Sequence, residues 1–282
     1  MNIAQALAAA RTLGVDRLDA QWLLCHHLGQ PRSWLLAHDD LLLTPLVEQE
    51  LAKQLVRRAA GEPLAYIVGV QSFCGMQLQV TPAVLVPRPE TELLVQWALE
   101  LLPHAPAPTM VDLGTGSGAI ALALALALAR AHPELHITAT DASADALAVA
   151  ERNAQQLGLK VEFVQGPWWA PLPGRRFGLA VANPPYIAEG DSHLAALTYE
   201  PQQALTAGAD GLDDLRSIIQ GAAQHLLPGA WLLLEHGHDQ GEAVVGLLAV
   251  AGFNLCQTRN DLAGLARCSG GHWALPAASA QN

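Results

Sequence analysis

The chain has 282 residues, of which 51% are apolar, enough to bury the core of about two domains and far from the make-up of a disordered chain. Fifteen Lys and Arg against 26 Asp and Glu give a formal charge of −11, which disfavours partners held mainly by phosphates, nucleic acid and anionic membrane surfaces alike. The four cysteines, Cys25, Cys74, Cys256 and Cys268, form no CxxC pair, so neither a disulfide framework nor a zinc ribbon is indicated and reduced thiols in a cytoplasmic protein are expected.

Residues 1–62 read as a small helical bundle. Ile3, Leu7, Ala10 and Leu13 share one helical face before Gly14. Asp16 caps a second helix carrying Leu18, Trp22 and Leu23, ended by Gly29 and Pro31. Thr44-Pro45 opens a third that runs through Leu46, Leu51, Leu55 and Val56 to Gly61. No basic residue precedes Arg11 and no cleavage site follows an apolar stretch, so no signal peptide is expected. This segment holds seven acids and six bases, against 19 and nine in the remainder, so the acidity belongs to the rest of the chain.

From Pro63 the pattern changes. Residues 65–70 and 76–80 read as two strands of a hairpin around Ser72 to Gly75. Pro82, Pro87 and Pro89 stiffen a linker up to residue 89, and a helix begins near Glu90. Strands and helices then alternate. Strands are predicted at 110–113, 136–140, 161–164, 179–182, 231–234 and 253–257, with helices at 117–130, 142–157, 212–226 and 241–250. The apolar run 119–129, closed by Arg130, is far short of the roughly 20 residues that span a bilayer. The succession predicts an α/β unit over 90–276, an open and mostly parallel sheet with helices on both faces, and a loose tail at 277–282.

Two stretches carry chemistry. Asp112-Leu113-Gly114-Thr115-Gly116-Ser117-Gly118 lies between a predicted strand and helix. Its glycines allow a sharp turn and close approach to a ligand. The spacing GxGxG differs from the dinucleotide pattern GxGxxG, and an acid two residues ahead of the first glycine suits a ligand bearing an ammonium better than a pyrophosphate. Asp141 ends the second strand, where a carboxylate accepts from both hydroxyls of a ribose; a helix N-cap is the other reading. Together these point to a nucleoside with a cationic, amino-acid-like tail, which S-adenosylmethionine satisfies. The second stretch is Asn183-Pro184-Pro185-Tyr186. Its prolines fix the backbone and remove two donors. The Asn183 side-chain oxygen and the Pro184 carbonyl remain as rigid acceptors for a planar –NH2 group, with Tyr186 as an apolar wall.

With these motifs the chain resembles the class I methyltransferases of amide and exocyclic amino nitrogens. It is similar in particular to the family that N5-methylates the glutamine of the Gly-Gly-Gln loop in class 1 peptide chain release factors. The likeness extends through Ser33-Trp34-Leu35-Leu36-Ala37-His38, Gly61-Glu62-Pro63-Leu64-Ala65-Tyr66, Leu85-Val86-Pro87-Arg88-Pro89-Glu90-Thr91-Glu92, Tyr199-Glu200-Pro201 and Leu233-Leu234-Glu235-His236-Gly237. It implies a Rossmann-like domain with S-adenosylmethionine as cofactor, preceded by a helical domain that docks the release factor. It implies that Gly114, Thr115, Gly116, Ser117 and Gly118 follow the methionine moiety, Asp141 holds the ribose and Trp168 lies against the adenine. Asn183, Pro184, Pro185 and Tyr186 would clamp the substrate glutamine, Asn183 and Pro184 as the catalytic pair, with Asn183 also touching the cofactor. One departure stands out: the family commonly has Asp-Trp where this chain has Pro167-Trp168, an acid expected to read the adenine amino group. A ribosomal-protein glutamine methyltransferase and a nucleic-acid adenine methyltransferase would share the clamp; the charge speaks against the second. No metal is expected. His236 and His238 follow a buried strand with no distant ligand set, His26-His27 falls within a helix, and Trp169 is read as packing. A monomer is expected.

Overall fold

In a computed structural model the described residues are 1–274, so the tail expected at 277–282 lies outside them. The chain divides into two compact units, Met1–Val70 and a second starting at Gln71.

The first unit is helical: α1 (Ile3–Thr12), α2 (Arg17–Leu28), α3 (Arg32–Ala37), α4 (Pro45–Ala59) and α5 (Leu64–Val68). Local chemistry sets the ends. Asn2 and Gln5 form a reciprocal capping box, Asp16 accepts from the Leu18 N–H, Thr44 from that of Val47, and Gly29 closes α2 in the left-handed region. Ile3, Ala10, Leu23, Leu24, Leu35, Leu51 and Leu55 form the core. Two features differ from the sequence reading. α3 was not predicted, being one short turn and a half behind Pro31. Residues 65–68 of the strand expected at 65–70 are instead helical, in α5, and carry this unit past residue 62. Pro63 starts the turn, Gly69 at φ 80° stops it, and the consecutive Ala65, Tyr66 and Ile67 are all buried, which the two-sided alternation of a half-exposed strand does not allow.

The second unit opens with β1 (Val70–Phe73) and β2 (Met76–Gln79). Cys74 and Gly75 both have positive φ, which suits the two-residue hairpin turn. Then follow α6 (Glu92–Leu101), β3 (Thr109–Leu113), α7 (Ala119–Leu128), β4 (His136–Asp141), α8 (Ala144–Leu157), β5 (Glu162–Gln165), β6 (Phe177–Ala182), α9 (Asp213–His225), β7 (Leu226–Glu235), α10 (Gly241–Val250), β8 (Asn254–Asn260) and β9 (Ala266–Trp273). A 3-10 turn, Pro89–Thr91, leads into α6. The sheet order is β5-β4-β3-β6-β7-β9-β8, parallel from β5 to β7, with β9 antiparallel to both neighbours. The mostly parallel sheet is the one the sequence predicts. Every residue of β6 is buried, as a central parallel strand covered on both faces requires.

β9 lies beyond the last strand read from the sequence, at 253–257. Its glycines permit close packing: a Cβ on Gly270 would lie 2.6 Å from Leu233 Cδ2 and 2.8 Å from Trp97 Cη2. Gly270→Ala is expected to destabilise the protein by about 1–3 kcal/mol through overpacking, read as a lowered midpoint in thermal or urea unfolding. An unchanged midpoint would mean that Leu233 and Trp97 move aside freely.

Register aligns the strand ends. Leu113 pairs with Thr140 on one side and Ala182 on the other, and Ala182 pairs with Leu234. Gly114, Asp141, Asn183 and Glu235 therefore stand one residue beyond a common row at the carboxyl edge. The chain reverses its winding between β3 and β6, which opens a crevice at this edge. Among the described residues no helix is long and apolar enough to cross a membrane.

Candidate active site

A cavity of about 290 Å³ occupies that crevice. Its wall includes Gly114, Thr115, Gly116, Ser117, Asp141, Pro167, Trp168, Asn183 and Pro185, and also Arg88, Thr91 and Asp214. Most of the residues singled out from sequence are thus brought together. Gly118, Pro184 and Tyr186 are not on the wall.

The glycine loop is held from below. The N–H groups of Gly114 and Thr115 both donate to the Thr140 carbonyl at 2.9 Å. Gly114 has φ 74°, and a Cβ there would meet the Trp168 ring at 2.9 Å, so only glycine fits between loop and indole. Gly118, at φ 83°, packs under α7: a Cβ would lie 2.9 Å from Leu122 Cδ1. Asp112 departs from expectation. It is fully buried rather than facing a ligand; its Oδ2 accepts from the Thr115 hydroxyl at 2.6 Å and the Ala121 N–H at 3.2 Å. It therefore ties the loop to the first turn of α7. Burial pushes its pKa up to about 7, and Oδ1 has no hydrogen-bond partner among the described residues.

Asp141 lines the cavity and is braced on both oxygens. Oδ2 accepts from the Gly116 N–H and Oδ1 from the Ser143 N–H, each at 2.9 Å. The N-cap of α8 is Ser143, whose hydroxyl accepts from the Ala146 N–H, so the N-cap reading of Asp141 fails. Each carboxylate oxygen keeps a lone pair for a ligand. Burial raises its pKa, and the two backbone donors offset part of that rise.

In the second motif, Asn183 Nδ2 donates to Thr91 Oγ1 at 3.1 Å, which leaves its Oδ1 free of that contact. Pro184 is buried beneath the wall. Tyr186, expected as a flat wall, turns its side chain toward the core instead: its hydroxyl donates to Glu235 Oε1 at 3.5 Å and its carbonyl accepts from Gln240 Nε2 at 3.0 Å. Burial is the main reason its pKa is raised. Trp168 sits at φ 47°, a rare conformation for an aromatic residue. Its carbonyl accepts from the Thr140 hydroxyl and its indole N–H donates to Asp214 Oδ1 at 3.2 Å. Trp169 packs in the core with its N–H on the Ile218 carbonyl. His236 has Nδ1 against the Gly237 carbonyl and Nε2 against the Ser269 hydroxyl, each at 2.8 Å. In the helical unit, His27 Nε2 meets Gln54 Oε1 and His26 is exposed.

Four residues with contacts here had no role assigned from sequence: Thr91, Glu200, Asp214 and Glu235. Glu200 is buried, accepts from the Val86 N–H at 3.1 Å and pairs with Arg88. Among the described residues Arg88 is the one Lys or Arg on the cavity wall, and this pairing neutralises it, whereas Asp141 and Asp214 carry no such cationic partner among the described contacts. The wall is therefore rich in acceptors and suits a ligand with hydroxyls, amino groups and positive charge.

The chain matches the family described as PrmC N-terminal domain over residues 2–69 and the Methyltransferase small domain over 90–210. A release factor glutamine methyltransferase of Bordetella pertussis is 50% identical over 262 residues, 92% of this chain and 96% of that protein. Its counterpart in Pseudomonas aeruginosa is 47% identical over 92% of this chain and 93% of its own length. In fold, a crystal structure of a methyltransferase from Pyrococcus furiosus superposes with a TM-score of 0.53 at 16% identity, covering 79% of this chain and 100% of that one.

Proposed function

Since this chain belongs to the release factor glutamine methyltransferase family, we propose that it moves a methyl group from S-adenosylmethionine to the side-chain amide nitrogen of the Gly-Gly-Gln glutamine of class 1 release factors. The observation that carries this reading is the strand-end row, which sets the glycine loop, Asp141 and Asn183 around one acceptor-rich cavity. The residues present fit the cofactor. Asp141 offers acceptors to ribose hydroxyls, the glycine loop gives backbone approach, Trp168 supplies a flat face, and the acidic wall suits a sulfonium and an ammonium. When bound, S-adenosylmethionine supplies an electrophilic methyl group.

The protein's part is to present the nucleophile. An amide nitrogen is weak because its lone pair is delocalised into the carbonyl. Asn183 Oδ1, on the cavity wall, accepts one of its two hydrogens, and the Pro184 carbonyl is the second acceptor that the family resemblance implies; together they favour the positive charge that grows on nitrogen and hold the nitrogen in line. The product nitrogen sheds its proton late, and no side chain is assigned as a base. The helical unit is the docking element in this reading. It exposes Trp22, Leu36, Leu42, Leu46 and Val56, apolar side chains of the kind that cluster in protein interfaces. The reaction belongs to the cytoplasm, where release factors act. The charge of −11 supports a protein rather than a nucleic-acid substrate. Methyl-labelled cofactor offered separately to a release factor, a ribosomal protein and DNA tests the assignment. Label in the release factor glutamine alone is expected, and label in either other substrate instead would overturn it.

Pro167 lines the cavity beside Trp168 and offers no side-chain acceptor. Pro167→Asp is expected to tighten S-adenosylhomocysteine by one charge-assisted hydrogen bond, at most about 1.5–3 kcal/mol, and to leave its inosine analogue unaffected. Equal gains for both ligands in calorimetry would show that the new carboxylate is not reading the adenine amino group.

A further inference from the structure

Asp214 lines the cavity from the first turn of α9 and is tied to a residue 46 positions earlier, Trp168. Its Oδ1 accepts from the indole N–H at 3.2 Å, and no hydrogen bond reaches its Oδ2 among the described residues. Asp141, the other carboxylate on the wall, differs: both of its oxygens already accept from a backbone N–H. An acid in the first turn also complements the helix dipole. Exposed Asp213 supplies that effect too, and the effect requires no contact with Trp168.

The indole is gripped at opposite edges. Its N–H edge rests on Asp214, and its six-membered ring abuts the glycine loop, where a Cβ on Gly114 would lie 2.9 Å from Cζ3. The backbone behind it is anchored as well, since the Thr140 hydroxyl donates to the carbonyl of Trp168, a residue at φ 47°. The ring therefore has one setting, and the carboxyl that holds its N–H carries a second oxygen to the rim of the same ring.

An ionised carboxylate can only accept. A flat base laid on the indole finds a partner in Oδ2 if its exocyclic group is –NH2. If that group is C=O, two acceptors face each other and the pairing is repulsive. Pro167, beside Trp168 on the wall, has no side-chain acceptor to offer instead. We infer that Asp214 is a specificity-determining residue: Oδ1 sets the Trp168 ring, and Oδ2 selects an aminopurine over an oxopurine for the base lying against it. The inference rests on the reading of Trp168 as the residue that takes the adenine of the cofactor. Burial raises the Asp214 pKa, the indole N–H pulls it back, and neighbouring Asp213 adds to the rise, so a mildly alkaline buffer keeps the group ionised.

The test is calorimetry on the full-length protein in such a buffer, with S-adenosylhomocysteine and its inosine analogue as the two ligands. The wild type is expected to prefer the first by roughly tenfold or more. Asp214→Asn keeps an oxygen for the indole N–H, the one end of the amide that can accept it, and so presents –NH2 where Oδ2 stood. The preference should shrink by roughly tenfold, partly through tighter binding of the inosine analogue. Asp214→Ala loses both contacts, so it should weaken both ligands and lose the preference as well. A structural role alone would weaken the two ligands alike. A ratio within about threefold of the wild-type value in both variants, or one that changes only with a lowered unfolding midpoint, would overturn the inference. Trp168→Ala separates the two ideas. If it leaves both affinities unchanged, the base does not lie on the indole, and the adenine reading falls and takes this inference with it. If it weakens both ligands while Asp214→Asn keeps the wild-type ratio, the selectivity assigned to Asp214 fails alone.

Discussion

Asn183→Ala is expected to abolish methyl transfer while leaving cofactor affinity nearly intact. The side chain stands at the end of β6, one residue past the register partner of Leu113, with Nδ2 tied to Thr91. Only the oxygen is left to meet a substrate amide. On the proposed clamp reading, its removal takes away a fixed acceptor for the reacting nitrogen and with it the alignment to the methyl group, together worth roughly 100-fold or more in rate. Because the substitution is small and the prolines that follow keep the backbone fixed, folding should survive. A purified variant that still methylates at a tenth or more of the wild-type rate, roughly the loss of one weak contact, would sink the clamp.

Asp141→Ala should do the reverse, weakening the cofactor far more than the substrate. Two losses combine. On the proposed reading, the ribose loses two charge-assisted hydrogen bonds, each at most about 1.5–3 kcal/mol. The glycine loop loses the brace between Asp141 Oδ2 and the Gly116 N–H, so the loop is no longer preorganised. Calorimetry with S-adenosylhomocysteine should show affinity reduced by roughly 100-fold or more; unchanged affinity would leave Asp141 as a brace alone. The pH dependence has a definite sign. Burial raises the Asp141 pKa, so protonation begins at a higher pH than for a free aspartate. Cofactor affinity should therefore weaken on acidification in the wild type, and Asp141→Ala should remove the part of that trend due to this group.

What the sequence made legible were the segments whose residue types are unusual for their place. Three glycines after a strand, an acid closing the next strand and a double proline after a third each have few physical uses, and all three reach the cavity. What stayed hidden depends on proximity in space. Thr91 and Asn183 are 92 residues apart, and Trp168 and Asp214 are 46 apart; neither pairing has a local signature. Asp112 was misread for a related reason. The pattern gives its position, but not that its carboxyl points into the loop it supports. The same limit applies to Tyr186, which is placed by the motif but aimed by Glu235. The sequence carries no strand signal over β9, whose Gly270 and Gly271 have no side chains to show an alternation; the facing Leu233 and Trp97 give these glycines their place.

The seating of β9 between β7 and β8 also dictates an order of assembly. β8 is made first but has no neighbour in the sheet except a strand still to be synthesised. A nascent chain that has just finished β8 therefore presents β7 with its outer edge unpaired, an open template for other chains. Glu235 stays short of its native surroundings until Cys268 arrives opposite it. The glycine loop, Asp141 and Asn183 hang on strands completed long before, so the crevice they line can be set before β9 takes its place. A premature stop ahead of β9 would cost the sheet two strands rather than one.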